Sequence, residues 1–154
     1  MQVVRASPED RGTIVRIVNS DLMYRDIIPS EYYKDPFLTM DELVGYLKEM
    51  DLTFFVCREG TSPCGVGGLI VRKDGYGQLG WVFVLPEWQR KGVGTTLVGE
   101  IEQHARQRGI SRMILETDGG AEWAKSFYRR LGYREYKQTP NPWGHLVWME
   151  KLLL

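Results

Sequence analysis

The chain has 154 residues, of which 43% are hydrophobic and 26% are charged, and its 20 basic and 20 acidic residues give a formal net charge of zero. This length and composition are typical of a globular protein with one sizeable core, so we expect residues 1–154 to form a single domain. The zero net charge disfavours a nucleic-acid-binding protein, because such proteins usually carry an excess of basic residues. No stretch approaches the roughly 18 apolar residues of a membrane helix, and the N-terminus lacks the apolar stretch of a signal peptide, so a cytoplasmic location is the default expectation.

The first third of the chain predicts one strand, two helices and a long irregular connection. The predicted elements are a strand over residues 3–6, a helix that begins at Pro8 with Ser7 as its N-cap, and a helix over residues 41–50. The connection between the two helices, residues 21–38, is interrupted by Pro29 and Pro36 and is rich in aromatic residues. A connection of this length and composition is typical of a binding loop or lid.

The rest of the chain predicts an alternation of strands and helices. The predicted elements are strands over residues 53–57, 66–71 and 79–85 with turns at 61–63 and 73–75, a helix from Gly92 that ends at Gly109, a strand over 112–117, a helix over 123–131, and strands over 133–137 and 146–149 joined through 140–144. This order predicts an α/β (α+β) fold with a mixed, mostly antiparallel sheet of about seven strands and about four flanking helices. The strand–helix–strand unit around Gly92 and Gly109 is expected to place its two strands parallel.

The stretch over residues 82–96 predicts a binding site for an anion. A β-rich run ends at Pro86, a basic loop follows, and then an apolar pattern with helical spacing begins. This order leaves unpaired backbone N–H groups at a helix N-terminus, where a phosphate binds favourably. Gly92 and Gly94 remove side chains that would block a phosphate, and Arg90 and Lys91 add positive charge. The sequence therefore predicts a phosphorylated ligand.

Three other interpretations of the glycine loop differ in the residues that they require. A Walker-type phosphate loop requires a Gly-Lys-Ser/Thr ending, which is absent. A dinucleotide-binding fingerprint requires a third glycine where this chain has Leu97. The third alternative, in which the two glycines only permit a tight turn into a helix, stays open from the residues alone.

The two cysteines predict buried, reduced thiols rather than a metal site. Cys57 and Cys64 both lie in apolar surroundings. Their spacing matches no zinc pattern, and only His104 and His145 could join them. We therefore expect no metal.

Two motifs resemble those of the GNAT N-acetyltransferase superfamily. The residues from Gln89 to Gly94 match the family motif Gln/Arg-x-x-Gly-x-Gly/Ala, and Val84-Leu85-Pro86 matches the strand end that precedes it. The residues from Ala124 to Tyr133 resemble a second family motif, Ala-x-x-Phe-Tyr-x-x-x-Gly-Phe/Tyr. The motifs occur in the family's order with a helix and a strand between them, and the element order agrees along nearly the whole chain.

The resemblance implies that the phosphorylated ligand is acetyl-CoA, which acts as the acyl donor. It implies that backbone groups at Phe83 and Val84 pair with the pantetheine arm, which enters where the fourth and fifth strands separate. It also implies that the loop holds the pyrophosphate with its backbone amides. The cofactor-binding residues expected in this loop are Gln89, Arg90, Lys91, Gly92, Val93, Gly94 and Thr95.

The resemblance also implies the chemistry, which is transfer of an acetyl group to a primary amine. Tyr128 stands where the family usually places its general acid, and a phenol that stays protonated near neutral pH can donate a proton to a departing thiolate. The position of a glutamate found in many members is occupied by Gln78, which cannot accept a proton. Glu116 is then the first candidate for the general base, with His145 and water alone as alternatives. The position of an asparagine that commonly contacts the cofactor is occupied by Ala121.

The acceptor is left open by the sequence. The family acetylates antibiotics, polyamines, amino acids, peptide N-termini and lysines, so the resemblance implies a small molecule or a peptide with an amine. The acidic and aromatic segment 21–42 could line a site for a cationic amine, with Trp143 as its opposite wall. The alternatives are a non-catalytic acetyl-CoA-binding regulatory module and a phosphate-binding protein unrelated to CoA. The sequence specifies no oligomeric state, so a homodimer stays open.

Overall fold

A computed structural model describes all 154 residues and contains a seven-stranded sheet with four α-helices. In chain order the elements are β1 (Gln2–Arg5), α1 (Arg11–Ser20), α2 (Met40–Glu49), β2 (Leu52–Glu59), β3 (Ser62–Val71), β4 (Gly77–Val84), α3 (Val93–Gln107), β5 (Arg112–Asp118), α4 (Glu122–Arg130), β6 (Arg134–Asn141) and β7 (Gly144–Leu152). The predicted number and order of elements are confirmed. None of the helices combines the length and the apolar character needed to cross a membrane.

The strands are ordered β1-β2-β3-β4-β5-β7-β6 across the sheet. Every neighbouring pair is antiparallel except β4 and β5, which are parallel. The parallel pair is the one that α3 connects, because a helical crossover returns the chain to the same end of the sheet. The prediction of a mostly antiparallel sheet with one parallel unit is confirmed.

The core consists of two hydrophobic clusters on opposite faces of the sheet. Phe55 and Cys57 of β2 belong to the cluster that packs under α3, whereas Phe54 and Val56 belong to the cluster under α1 and α2. Adjacent residues of a strand point to opposite faces, so this alternation places helices on both sides of the central strands. Cys57 and Cys64 are free, fully buried thiols, as expected, and burial raises the pKa of Cys57 to about 12.

Two turns are shorter in the structure than the sequence predicted. The turn over residues 61–63 was wrong in part, because Ser62 and Pro63 already belong to β3. Pro63 lies opposite Arg58, where the register between β2 and β3 shifts, and such an irregularity tolerates a residue without an N–H group. The connection over residues 140–144 was also too long, because Asn141 of β6 already pairs with Gly144 of β7.

Candidate active site

The candidate site lies where β4 and β5 separate. The two strands pair only at Gly77–Met113 and Gln78–Ile114, and no ladder joins them beyond these positions. The register between β3 and β4 shifts where Trp81 adopts a φ of 49°, which is rare for a bulky residue. A bulge of this kind bends its strand, and here it accompanies the divergence of β4 from β5. The result is a cleft in the middle of the sheet.

The direction of the backbone in β4 decides which residues offer hydrogen-bonding groups to the cleft. Leu85 donates its N–H to the carbonyl of Cys64 in β3 at 2.9 Å. Beyond the register shift the backbone groups of β4 alternate in direction, so those of Phe83 also face β3 while those of Val84 face the cleft. We therefore revise the expectation for Phe83, which borders the cleft with its side chain. The Val84 carbonyl accepts a hydrogen bond from Gln89 Nε2 at 3.2 Å, which leaves the Val84 N–H for a ligand.

The loop before α3 presents a series of unpaired N–H groups. Gly92 is the N-cap of α3, with a φ of 83°, and its carbonyl accepts the first helical hydrogen bond, from the N–H of Thr96 at 3.0 Å. None of the N–H groups from Arg90 to Thr95 donates to a protein acceptor. These groups and the positive end of the helix dipole together favour an anion at this position.

The two glycines of this loop have different structural roles. Gly92 has the left-handed backbone conformation that glycine adopts without strain. Gly94 is required by packing, because a Cβ at this position would lie 3.0 Å from Cζ of Phe127 in α4. Gly94 therefore allows α4 to approach α3 and brings the second motif to the first.

The first cavity has a volume of about 500 Å³ and extends from this loop along β4 to α4. Every residue of the predicted cofactor set lines it except Lys91. The Lys91 ammonium lies 5.2 Å from the centroid of the Trp88 ring, and Trp88 itself lines the cavity. Two arginines, Arg90 and Arg130, also border this cavity.

The second cavity, about 410 Å³ in volume, lies on the other side of the separated strands. Tyr24, Val82, Phe83 and Tyr128 line both cavities. The two cavities therefore meet at a junction formed by the bulged part of β4, by Tyr128 of the second motif and by Tyr24 of the irregular segment. The sequence analysis did not predict this role for Tyr24.

The Tyr128 side chain lies at this junction. Its ring packs edge-on against the rings of Phe127 and Tyr133, with centroids 5.0 and 5.8 Å apart. Its hydroxyl makes no hydrogen bond to another protein group. Burial raises the pKa of Tyr128 above its ordinary value, and the neighbouring Tyr24 adds to this effect, so the hydroxyl stays protonated at neutral pH.

Glu116 borders the second cavity from β5, near Gln78 of β4. Partial burial raises the pKa of Glu116 above its ordinary value, and the positive charges of Arg72 and Lys137 act in the opposite direction. Gln78 accepts a hydrogen bond from Arg72 at 2.8 Å, so its amide oxygen is already paired. Glu116 is therefore a carboxylate within the cavity, whereas Gln78 is a neutral residue that holds an arginine beside it.

Two further residues of the second cavity, Asp118 and Trp143, form a hydrogen-bonded pair. Asp118 ends β5 and is 8% exposed. Its Oδ2 accepts a hydrogen bond from Trp143 Nε1 at 2.6 Å, and its Oδ1 accepts one from the N–H of Gly120 at 2.8 Å. Trp143 lines the cavity as the sequence suggested, but Asp118 was not predicted. The sequence feature that could have indicated Asp118 is a carboxylate at the end of a buried strand.

The remaining candidates lie outside the second cavity. His145 is exposed, and its ring packs against Gly119, where a Cβ would lie 2.5 Å from Nε2. Ala121 is fully buried as the N-cap of α4 and carries no polar side chain. Among residues with metal-binding side chains, no group of three or more is arranged to hold an ion.

The irregular segment contributes aromatic rings rather than acids to the second cavity. Tyr24, Ile28 and Phe37 line this cavity, whereas the only acid of the segment on either cavity is Asp21, which lines the first. Asp35 and Glu42 are paired with Arg25 and Lys34. The suggestion that the acids of this segment hold a cationic acceptor was therefore wrong, and the carboxylates of the second cavity come from β5.

Comparisons with known proteins agree with this geometry. The sequence model of the family described as "Acetyltransferase (GNAT) family" matches residues 20–133. An IAA acetyltransferase from Azospirillum brasilense is 27% identical over 134 residues, which cover 86% of this chain and 84% of that protein. An uncharacterized N-acetyltransferase from Methanocaldococcus jannaschii is 31% identical over 102 residues, which cover 61% of this chain but only 44% of that protein.

Solved structures show the same fold. The crystal structure of PaiA N-acetyltransferase from Thermoplasma acidophilum, in complex with coenzyme A, superimposes with a TM-score of 0.82 and covers 98% of each chain. At 21% sequence identity, this likeness concerns the fold alone.

Proposed function

The chain belongs to the GNAT acetyltransferase family and is an acyltransferase, and from this premise we propose that it transfers an acetyl group from acetyl-CoA to a primary amine by direct attack in a ternary complex. The observation that carries the proposal is the junction of the two cavities. One cavity ends at an anion-binding loop, the other contains carboxylates, and Tyr128 lines both. A donor and an acceptor bound in the two cavities would meet beside this tyrosine.

In this proposal acetyl-CoA occupies the first cavity. Its pyrophosphate accepts hydrogen bonds from the unpaired N–H groups between Arg90 and Thr95, with the positive charges of Arg90 and Arg130 nearby. Its pantetheine arm lies along the free edge of β4, where the N–H of Val84 donates to it. Gln89 supports this arrangement because its bond to the Val84 carbonyl ties the end of β4 to the loop.

The reaction requires a neutral amine nitrogen, a donor to the leaving sulfur and an acceptor for the released proton. The nitrogen forms a bond to the thioester carbon, and the carbon–sulfur bond breaks. Tyr128 donates its proton to the thiolate, a role that fits its free hydroxyl, and the proton that the acylated nitrogen loses restores the tyrosine. Val82 lines both cavities at the bulge of β4, and its N–H is the proposed donor for the negative charge that develops on the carbonyl oxygen.

Glu116 is the proposed general base. An alkyl ammonium has a pKa of roughly 10, so it must lose a proton before it attacks. Glu116 borders the acceptor cavity, and its raised pKa makes it a better proton acceptor than an ordinary carboxylate. A bound water molecule would carry the proton from the amine to this carboxylate.

A non-catalytic acetyl-CoA-binding module is the second candidate. The observation that favours it is Gln78, a neutral residue already paired with Arg72 where many family members carry a carboxylate. This candidate requires the first cavity but gives no use to the second. It predicts binding of CoA without transfer to any amine.

Thermal unfolding and thiol release together separate the candidates. The melting temperature is measured with acetyl-CoA, CoA and ATP, and thiol release from acetyl-CoA is then followed across a panel of amines. The transferase predicts stabilisation by both CoA forms beyond that by ATP, followed by amine-dependent thiol release. CoA-specific stabilisation without turnover would support the binding module. Equal stabilisation by ATP would indicate a phosphate site unrelated to CoA.

A further inference from the structure

Two carboxylates line the acceptor cavity. Glu116 and Asp118 are the lining residues with charged side chains, and the positive charges of Arg72 and Lys137 act on Glu116 from outside the lining. The two residues are separated by one position in β5, so their side chains leave the same face of the strand about 7 Å apart. A carboxylate or phosphate on an acceptor would therefore enter a partly buried space that already holds two negative charges.

The walls of the cavity between these carboxylates are apolar and aromatic. Phe37, Trp81 and Trp143 border it from three separate parts of the chain, and Ile28 and Ile70 fill the space beside them. Trp81 is itself held in place by the rings of Tyr46 and Phe54, with centroids 5.4 and 5.9 Å away. An acceptor with an apolar body would gain about 25 cal/mol for each Å² of its surface that these walls remove from water.

The irregular segment and the β6–β7 turn are in contact beside the cavity. Tyr32 of the irregular segment and Trp143 of the β6–β7 turn lie with ring centroids 5.4 Å apart. The cavity volume of about 410 Å³ is at the lower end of the range for small-molecule sites. A volume of this size matches the body of a small molecule.

We infer that the acceptor is a compact primary amine with an apolar or aromatic body and without a carboxylate or phosphate group, and that Asp118 is the residue that selects for its positive charge. This inference rests on the proposed function. Asp118 already accepts one hydrogen bond on each oxygen, and each oxygen keeps a further lone pair for an ammonium group. In this arrangement Asp118 attracts the charged amine into the cavity and Glu116 accepts the proton that it releases.

Matched acceptors test the inference in the unmodified protein. We expect kcat/KM for 2-phenylethylamine to exceed that for phenylalanine by at least about 100-fold, because the two differ by a carboxylate that the cavity repels. A short peptide with a free N-terminal alanine should also be a poor acceptor. Equal efficiency with phenylalanine or with the peptide would overturn the inference and leave the transferase intact. Absence of turnover with every amine, despite binding of acetyl-CoA, would refute the transferase and the inference together.

Two variants test the role of Asp118 separately from its structural bond to Trp143. Asp118→Asn removes the charge, and Trp143→Phe removes the indole donor but keeps the charge and an aromatic wall. We expect Asp118→Asn to reduce the preference for 2-phenylethylamine over phenylalanine at least about tenfold, through a higher KM for the amine and an unchanged KM for acetyl-CoA. Trp143→Phe should retain the preference. Loss of the preference in Trp143→Phe, or its retention in Asp118→Asn, would overturn the role of Asp118. If Asp118→Asn does not fold, the comparison of acceptors above still decides the substrate class.

Discussion

The role of Tyr128 can be separated from its packing because a neighbouring tyrosine, Tyr133, packs against it but has a hydroxyl with a different partner. The Tyr128 hydroxyl has no protein partner, whereas the Tyr133 hydroxyl donates to Glu102 Oε2 at 2.8 Å in a buried position. The rings pack against each other with centroids 5.8 Å apart, so replacement by phenylalanine preserves both rings. The two substitutions therefore remove one catalytic hydroxyl and one structural hydroxyl from the same cluster.

Tyr128→Phe should lower activity without lowering stability. Removal of the general acid should reduce kcat by about ten- to a thousand-fold, which corresponds to about 1.4–4 kcal/mol of transition-state stabilisation. The free energy of unfolding should change by less than about 0.5 kcal/mol, because no protein hydrogen bond is lost. The dissociation constant for acetyl-CoA should stay within about threefold, since the groups that hold the pyrophosphate and the pantetheine arm lie elsewhere and the Tyr128 ring is kept.

Tyr133→Phe is the matched control and should behave in the opposite way. It removes a buried hydrogen bond to Glu102, which should cost about 1–3 kcal/mol of unfolding free energy. Tyr133 lines neither cavity, so kcat of the folded protein should be preserved. Steady-state thiol release and chemical denaturation measure both quantities. An unchanged kcat in Tyr128→Phe would refute its role as the general acid, as would equal losses of kcat in the two variants.

The remaining predictions concern the glycines and the base. Gly94→Ala should destabilise the protein by about 1–3 kcal/mol and weaken acetyl-CoA binding, because its Cβ would meet Phe127 at 3.0 Å. In the same helix, a Cβ added at Gly99 has no atom within 4 Å, so Gly99→Ala should stabilise the protein by about 0.5–1 kcal/mol. Equal melting temperatures for the Gly94 and Gly99 variants would contradict this reasoning. Gly92→Ala should cost about 1–2 kcal/mol by denaturation because its φ is 83°, and no loss of stability would show that the loop adapts. Glu116 has a raised pKa and must be ionised to accept a proton, so kcat/KM should fall as the pH decreases through this pKa. Glu116→Gln should lower activity and abolish this fall at low pH. An identical pH profile in the variant would exclude Glu116 as the base.

The sequence predicted the parts of the site that depend on local order. The loop from Gln89 to Thr95 lies at the N-terminus of α3 because a strand, a turn and a helical pattern follow one another in the chain. The parallel pairing of β4 and β5 follows from the same connection. The sequence assigned the backbone groups of both Phe83 and Val84 to the cofactor, whereas adjacent residues of a regular strand direct these groups to opposite edges.

Other parts of the site depend on contacts between distant segments, which local patterns do not encode. Asp118 meets Trp143 only because β7 returns beside β5 and its turn folds over the strand end. The position of Tyr24 depends on the path of an irregular segment, fixed by contacts of its ring with Phe37, Phe83 and Trp123. The segment predicted to line the acceptor site with acids and aromatic rings therefore lines the second cavity with its aromatic rings, Tyr24 and Phe37.

The most direct test of the central claim follows a labelled acetyl group through one reaction. The protein is mixed with acetyl-CoA that carries a labelled acetyl group, and 2-phenylethylamine is then added while free thiol, labelled protein and labelled amine are measured. Direct transfer between the two cavities predicts no labelled protein, no thiol release before the amine is added, and then equal amounts of thiol and acetylated amine. Accumulation of label on the protein, or thiol release without an acetylated amine, would contradict the claim that Tyr128 lies between a bound donor and a bound acceptor.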